Sequence, residues 1–385
     1  MSLKISNFRR EIGHNLVNMP GWHTKRHVVV IESDDWGAIR MPSREVYNQF
    51  LKEGIAVDRD PYCRYDRLAT KNDLEGLFEV LDSVKDKNGN PAVLTANAVV
   101  ANPVFKKIAE SGFKEYSYEP FTETLKQSNE HEGAWEMWHQ GMNEGLFRPQ
   151  FHGREHLNVK KWLSVLQQGD STTRRAFELS SFGLTDSVDS AIKRNYMGAF
   201  NSGLDEDITY YGQILKEGMD LFEKLFGYRS ASFIATTYTW NPRIEPHLIS
   251  GGVKYIQGLI TQKIPIDDDT SIKFVKKGYQ GTKTEYGLIR LMRNCFFEPS
   301  QTPNVDCVDD CLHRIELAFR WRKAAVICAH RLNFIGSIDH KNTDRNLPMF
   351  KSLLKEIVKR WPDVEFVSSD QLGVIIDNYY DKNKA

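Results

Sequence analysis

Three short polar clusters in this 385-residue chain carry the residue types of a metal site with an acid and a base. They are Glu32-Ser33-Asp34-Asp35-Trp36 after Val28-Val29-Val30-Ile31, His152-Gly153-Arg154-Glu155-His156 after Phe147-Arg148-Pro149-Gln150-Phe151, and His330-Arg331 after Ala325-Val326-Ile327-Cys328-Ala329. Adjacent carboxylates at a strand end repel one another unless a cation or protons sit between them. A divalent metal resolves this: one carboxylate ligates and the other stays free to take a proton. The ordinary alternative for Asp34-Asp35 is a turn and helix-capping pair. On a helical turn, residues at i and i+4 such as His152 and His156 would project from one face, about right for two imidazoles on one cation. His23 and His27 share that spacing, but His27 begins a strand-like run whereas His152 comes after one. His330 is a lone histidine whose alternative is a structural imidazole. A near-neutral acid is nonetheless what a departing alcohol or amine requires.

The elements that must position these clusters alternate along the chain. Strands are expected at 27–31, 92–97, 147–151, 231–236, 253–257, 288–292, 324–329 and 364–367. Helices are expected at 44–53, where Ser43 is an N-cap and Gly54 a stop, and at 72–83, where Leu74, Leu77, Phe78 and Leu81 keep helical spacing. Further helices are expected at 157–168, 171–178, 208–226, 242–250, 306–322 and 347–360. This alternation predicts a mainly parallel sheet covered by helices, in one domain spanning 1–385. Residues 101–145, rich in aromatics, and the polar 180–210 read as insertions. Each polar cluster then sits at the C-terminal end of a strand, the edge where parallel barrels place their chemistry.

Weaker candidates surround the clusters. Tyr238 and Trp240, in the polar and aromatic loop after strand 231–236, suit stacking on a sugar ring, and Trp36 closes the first cluster. Arg229 is placed to orient a carboxylate; Arg293, Asn294 and Glu298 come after the strand at 288–292. Trp135, Trp138 and His139 in the first insertion form either a substrate wall or a lid core. Cys307 and Cys311, one helical turn apart with His313 nearby, read as buried helix cysteines, since a structural zinc site wants four ligands.

Composition narrows the function. Lys plus Arg and Asp plus Glu both number 51, so no global field favours nucleic acid or an anionic membrane. Apolar residues make up 41%, enough for a large core. Five thinly spread cysteines argue for a reducing compartment rather than a disulfide framework. No apolar leader comes after Met1 and no run approaches 18 apolar residues, so the expectation is a soluble, cytoplasmic protein with no membrane span; secretion stays open if a leader was trimmed. The oligomeric state is not readable.

In order and character the clusters resemble the polysaccharide deacetylases of the NodB-homology family, carbohydrate esterase family 4. Glu32-Ser33-Asp34-Asp35 looks like a variant of that family's Thr-Phe-Asp-Asp motif. His152-Gly153-Arg154-Glu155-His156 matches its His-(Ser/Thr)-x-x-His spacing, and Ile327-Cys328-Ala329-His330 is similar to its Leu-x-His motif. The strand at 364–367, with Ser368-Ser369-Asp370-Gln371-Leu372 after it, looks like the end of these domains. The resemblance spans about 27–375. It implies a distorted (β/α) barrel of about seven parallel strands. It also implies a divalent metal, zinc first, on Asp35, His152 and His156, with Asp34 as base, His330 as acid and an acetylated sugar or polysaccharide precursor as substrate. The departures are specific. Gly153 replaces Ser/Thr, Arg229 stands in for an Arg-Pro-aromatic motif without its proline, and the orienting Asp-x-x-Asp-Trp motif has no match. Two alternatives remain: a glycoside hydrolase on a related barrel using two carboxylates such as Asp34 and Glu298, and a non-catalytic carbohydrate-binding descendant.

Overall fold

Val28, Val29, Val30 and Ile31 are all fully buried, as a strand covered on both faces requires. They open β1 (Val28–Trp36), which runs on through the two aspartates rather than ending before them. The computed structural model describes residues 11–184, 188, 196–267, 271–276 and 278–382. Eight further sheet strands come after it: β2 (Leu94–Val99), β3 (Phe147–Gly153), β4 (Ser232–Phe233), β5 (Tyr255–Gly258), β6 (Ile289–Met292), β7 (Cys295–Phe296), β8 (Ala325–His330) and β9 (Glu365–Phe366). Their order is β6-β5-β4-β3-β2-β1-β8-β7, with β9 also on β1. Every neighbouring pair is parallel.

One stretch of chain joins the two ends of that order. β6 lies on β5 and β7 on β8, yet only Arg293 and Asn294 separate β6 from β7. The Arg293 N–H donates to the Gly258 carbonyl at 3.0 Å and the Asn294 N–H to the Val326 carbonyl at 3.2 Å, so the sheet curls back onto itself at this seam. No local pattern marks β7, which is two residues long.

Alternation along β1 sorts the interior into layers. Val29 and Ile31 face the covering helices. Val28 and Val30 face inward, with Ile289, Leu291, Val326, Leu372 and Ile376. The last two come from α7 (Ser369–Lys382), which closes one end of the curled sheet. Gly373 lies so close to Tyr255 that a Cβ would sit 2.4 Å from its ring, so a side chain there would push the plug out. Above this apolar layer the inward positions turn polar: Glu32, Asn97, Gln150, Ser232, Gln257 and Arg293 are all buried.

The covering helices obey local rules. α1 (Lys71–Asp82) starts with a Thr70/Asp73 capping box and buries Leu74, Leu77, Phe78 and Leu81. α2 (Ala134–Asn143) lies inside the expected first insertion but is an ordinary covering helix. Its Trp138 packs edge-on against Trp36 and Phe147, with ring centroids 5.9 and 5.0 Å away, so it belongs to the outer core rather than a substrate wall. The same stretch also holds a short antiparallel hairpin, Ala101–Pro103 with Tyr118–Pro120. The second expected insertion falls partly outside the described residues; α4 (Asp205–Phe226) begins before it ends, and stops at Gly227 with φ 76°. α3 is Val159–Gln167, α5 is Cys307–Arg320 and α6 is His340–Arg360, the last starting earlier than expected on an Asp339 cap. Among the described residues no helix is long and apolar enough to cross a membrane.

Candidate active site

β1 delivers two carboxylates in different directions because its backbone is irregular there. The register against β2 shifts between Ser33 and Trp36, and Asp35 has φ 74°, a left-handed conformation that a non-glycine residue seldom adopts. Asp34 keeps the inward alternation, opposite His330 of β8. Asp35 turns toward the end of β3, where His152 and His156 stand.

Asp35, His152 and His156 are all buried, and one ligand atom from each lies within 4.8 Å of the others. The Asp35 Oδ1 is 3.1 Å from His156 Nε2 and 3.5 Å from His152 Nε2. Its Oδ2 accepts instead from Arg40 Nη2 at 3.0 Å. The His152 Nδ1 is 2.9 Å from the Ile234 carbonyl, so it carries the proton and presents Nε2 as a lone pair. That Nε2 is buried and has no hydrogen-bond partner. Burial, reinforced by Arg40, lowers His156 to about 4, which keeps it neutral. One carboxylate oxygen and two imidazoles aimed at a common point are the donor set of an open zinc-type site. These residues therefore fit a divalent ion.

Asp34 has a different environment. Arg293 donates to both its oxygens, Nη1 to Oδ2 at 2.7 Å and Nη2 to Oδ1 at 2.6 Å, and Asn97 adds a bond to Oδ1 at 2.8 Å. Burial alone would raise this carboxyl; Arg293 more than reverses that and holds it at about 2. Arg293 is itself fixed from below, where its Nε donates to Glu32 at 2.6 Å and Ser369 of α7 donates to the other Glu32 oxygen at 2.7 Å. The Tyr238 hydroxyl touches the same group, 2.7 Å from Arg293 Nη1 and 3.4 Å from Asp34 Oδ2. Thr237 and Tyr238 both have positive φ, 56° and 57°, so this loop holds its ring by a strained turn.

Across from Asp34, His330 Nδ1 lies 2.5 Å from Glu298, and its Nε2 points to Asp34 Oδ2 at 3.7 Å. Asn333 and Gln301 donate to the second Glu298 oxygen at 2.7 and 2.8 Å. Burial acts to lower His330, but Glu298, helped by Asp34, raises it to about 9, so it is an imidazolium at neutral pH. Glu298, Cys328 and His330 also offer ligand atoms to one point. Arg293 Nη1 lies 3.3 Å from the Cys328 sulfur, however, and burial pushes that thiol up to about 12, so this group serves His330 better than a second cation.

A further buried relay backs Asp35 through Arg40. Arg331 Nε donates to Asp66 at 2.8 Å, and Arg40 Nε lies 3.7 Å from the other Asp66 oxygen. With every carboxylate ionised, Glu32, Asp34, Asp35, Asp66 and Glu298 face Arg40, Arg293, Arg331 and His330, five negative groups against four positive. One divalent ion reverses that imbalance.

The structure brings Asp34, Asp35, His152, His156, His330 and Tyr238 to one edge of the sheet. Three expected substrate residues lie elsewhere. Arg229 precedes β4, is about half exposed and pairs with Glu223 of α4 at 2.8 Å, so it orients no carboxylate here. Trp240 is buried, its indole nitrogen donating to Glu245 at 3.2 Å. Trp36 is buried, donating to Ser33 at 3.0 Å and packed under α2. Arg293 and Glu298 emerge as the groups that hold Asp34 and His330. Their position just after β6 is visible in the sequence, but their pairing depends on the seam at 293–294, which is not. Arg40, Asp66 and Asn97 carry no local signal. In the glycosidase alternative Asp34, held at about 2, could not be the general acid, and Glu298 is engaged by His330, Asn333 and Gln301.

No family model matches the chain, and no curated protein matches it. Among solved structures it is similar to a putative polysaccharide deacetylase from Mycobacterium smegmatis, with 12% identity over 94% of both chains and a TM-score of 0.43. A probable polysaccharide deacetylase from Pseudomonas aeruginosa PAO1 gives 9% identity over 90% of both chains at a TM-score of 0.44. A 4-alpha-glucanotransferase from Thermococcus litoralis scores the same 0.44 at 9% identity, but the match spans 90% of this chain and only 40% of that one.

Proposed function

We propose that this chain is a divalent-metal-dependent hydrolase that removes an acetyl group from an acetylated sugar. The observation that carries the reading is the convergence of Asp35, His152 and His156, with His152 already committed through Nδ1 to the Ile234 carbonyl, beside an ionised Asp34 and a protonated His330. The sugar substrate rests on the motif resemblance.

Asp35 Oδ1, His152 and His156 would hold the ion, zinc first by donor type. When bound, the ion acts as a Lewis acid that polarises the acyl oxygen and acidifies a water molecule. The protein's own groups do the rest. Asp34 stays ionised through the whole physiological range and takes the proton of the attacking water on Oδ2, whose hydrogen-bond contact besides Arg293 is the Tyr238 hydroxyl at 3.4 Å. Arg293 fixes the rotamer of Asp34, and Glu32 and Ser369 fix Arg293. His330 donates its Nε2 proton to the departing amine or hydroxyl, while Glu298 holds the other ring nitrogen and keeps the imidazolium charged until that moment. Tyr238 stands beside Asp34 and is the expected substrate contact on this side.

Metal analysis together with acetate release from a panel of N- and O-acetylated sugars tests this reading. Divalent metal at the site should be lost in Asp35→Asn and His156→Ala, with acetate release lost in parallel. Full occupancy of both variants would remove the ligand assignment; metal retention without any acetate release across the panel would favour the binding descendant.

A further inference from the structure

We infer that a second transition-metal site, on Glu11, His14 and His313, clamps the N-terminal helix to α5. Residues 11–18 are helical, and Glu11 and His14, three apart, share a face of that helix. His313 comes from α5. One ligand atom from each of the three lies within 4.8 Å of the others, and His313 Nε2 is already 2.9 Å from Glu11 Oε2. Tetrahedral ligands at zinc distances stand about 3.3 Å apart, and Glu11 and His313 are both only partly buried, so rotamer adjustment can close the remainder. Two imidazoles and a carboxylate select a borderline ion such as Zn2+, Ni2+ or Cu2+ over Mg2+ or Ca2+. Cys307 and Cys311, on the same helix, are buried in the core and take no part.

The way this helix is attached gives such a clamp a purpose. Ile12, Leu16 and Met19 are exposed, so the segment gains little from apolar burial. It is held instead by polar contacts: Trp321 donates to Asn15 at 2.8 Å, Asn294 donates to Asn18 at 2.9 Å, and Glu11 meets His313. A half-exposed histidine–carboxylate pair is well screened by solvent and holds weakly on its own. A shared metal would strengthen this contact. Asn294 is the seam residue of the barrel, so the clamp steadies a segment that rests directly on the joint.

The test uses the full chain, zinc titrated against a chromogenic chelator, and amide exchange of residues 11–18. Wild type should bind two equivalents. His156→Ala should keep one, and zinc should then slow exchange across 11–18. The pair His14→Ala with His313→Ala should keep the other equivalent and show no zinc effect on that segment, with circular dichroism unchanged. Zinc that persists in the triple variant, or a His156→Ala protein that binds none while folded, overturns the inference. A single wild-type equivalent lost only with His14 and His313 would instead refute the catalytic metal and leave this site standing.

Discussion

Replacing Glu298 by Gln should shift the alkaline limb of activity without disturbing the metal site. Glu298 lies 2.5 Å from His330 Nδ1, and the pair is only 11–12% exposed, so solvent screens it little. Burial is the largest influence on His330 and lowers it; Glu298, through charge and hydrogen bond, leads the opposing influences and brings it to about 9 from 6.5. The rise corresponds to about 3 kcal/mol favouring imidazolium over imidazole. Gln keeps the size and can still accept from Nδ1, but it removes the charge. Burial is then opposed chiefly by Asp34 and Asp35, and His330 should fall to about 7. At pH 8 the protonated fraction would drop from roughly nine-tenths to roughly one-tenth, whereas at pH 6 it would stay near nine-tenths. The variant should therefore lose about tenfold in kcat/KM at pH 8 and almost nothing at pH 6. The same sign governs stability: the pair contributes fully below about 6.5, and that contribution is lost as pH rises through about 9. Acetate-release rates from pH 5.5 to 10, with an NMR titration of the His330 ring, measure both. A limb that stays near 9 in Glu298→Gln, or a loss equal at pH 6 and pH 8, would refute the assignment of His330 as the acid and Glu298 as its support.

Asp34→Asn should reduce kcat by about 10²–10⁴-fold while metal content, measured by plasma emission, stays at the wild-type level. Because Asp34 is held at about 2, wild-type activity should show no acid limb from this group between pH 5 and 7; an acid limb near 5 that disappears in a variant of Arg293 rather than of the ligands would contradict that. Arg331→Met leaves Asp66 buried and unpaired except for Arg40 at 3.7 Å, and should cost about 3–5 kcal/mol in urea unfolding. Gly153→Ser restores the residue type expected by resemblance but places a side chain at φ 126°, with a Cβ 3.3 Å from the Glu155 carbonyl, so it should destabilise by about 1–3 kcal/mol and weaken metal binding.

The parts of this fold that were legible in the sequence are those written in contiguous residues. Val28 to Ile31 announces a central strand because four consecutive apolar β-branched residues suit burial on both faces. Thr70 and Asp73 announce a helix start because the capping box is local. His152 and His156 announce themselves by spacing and by the strand before them. What stayed hidden depends on closure. Arg293 reaches Asp34 only because β6 and β7 sit on opposite ends of the strand order and the chain crosses between them. Arg229 is also an arginine beside an apolar run and is indistinguishable from it by local pattern, yet it lies before its strand and so on the wrong end. Trp36 and Trp240 were misplaced for a related reason: an indole at a strand end can stack on a substrate or fill the layer beneath a helix, and only the position of α2 and of Glu245 decides between them.

The base and the metal ligands are tied by one energetic argument. A carboxylate at about 2 is a poor acceptor: taking a proton from ordinary water, at about 15.7, would cost about 19 kcal/mol. From a water acidified to about 7 by a divalent ion the cost falls to about 7 kcal/mol, within reach of a catalysed step. Arg293 thus makes Asp34 useless as a base unless a cation is nearby, and at the same time keeps Asp34 ionised against burial. On the proposed reading, Asp34 can act as a base only with a cation held by Asp35, His152 and His156. Asp35→Asn, which leaves Asp34, Arg293 and His330 chemically intact, should therefore abolish acetate release as completely as Asp34→Asn does; appreciable turnover in a metal-free Asp35→Asn protein would mean that Asp34 is only the counter-ion of Arg293.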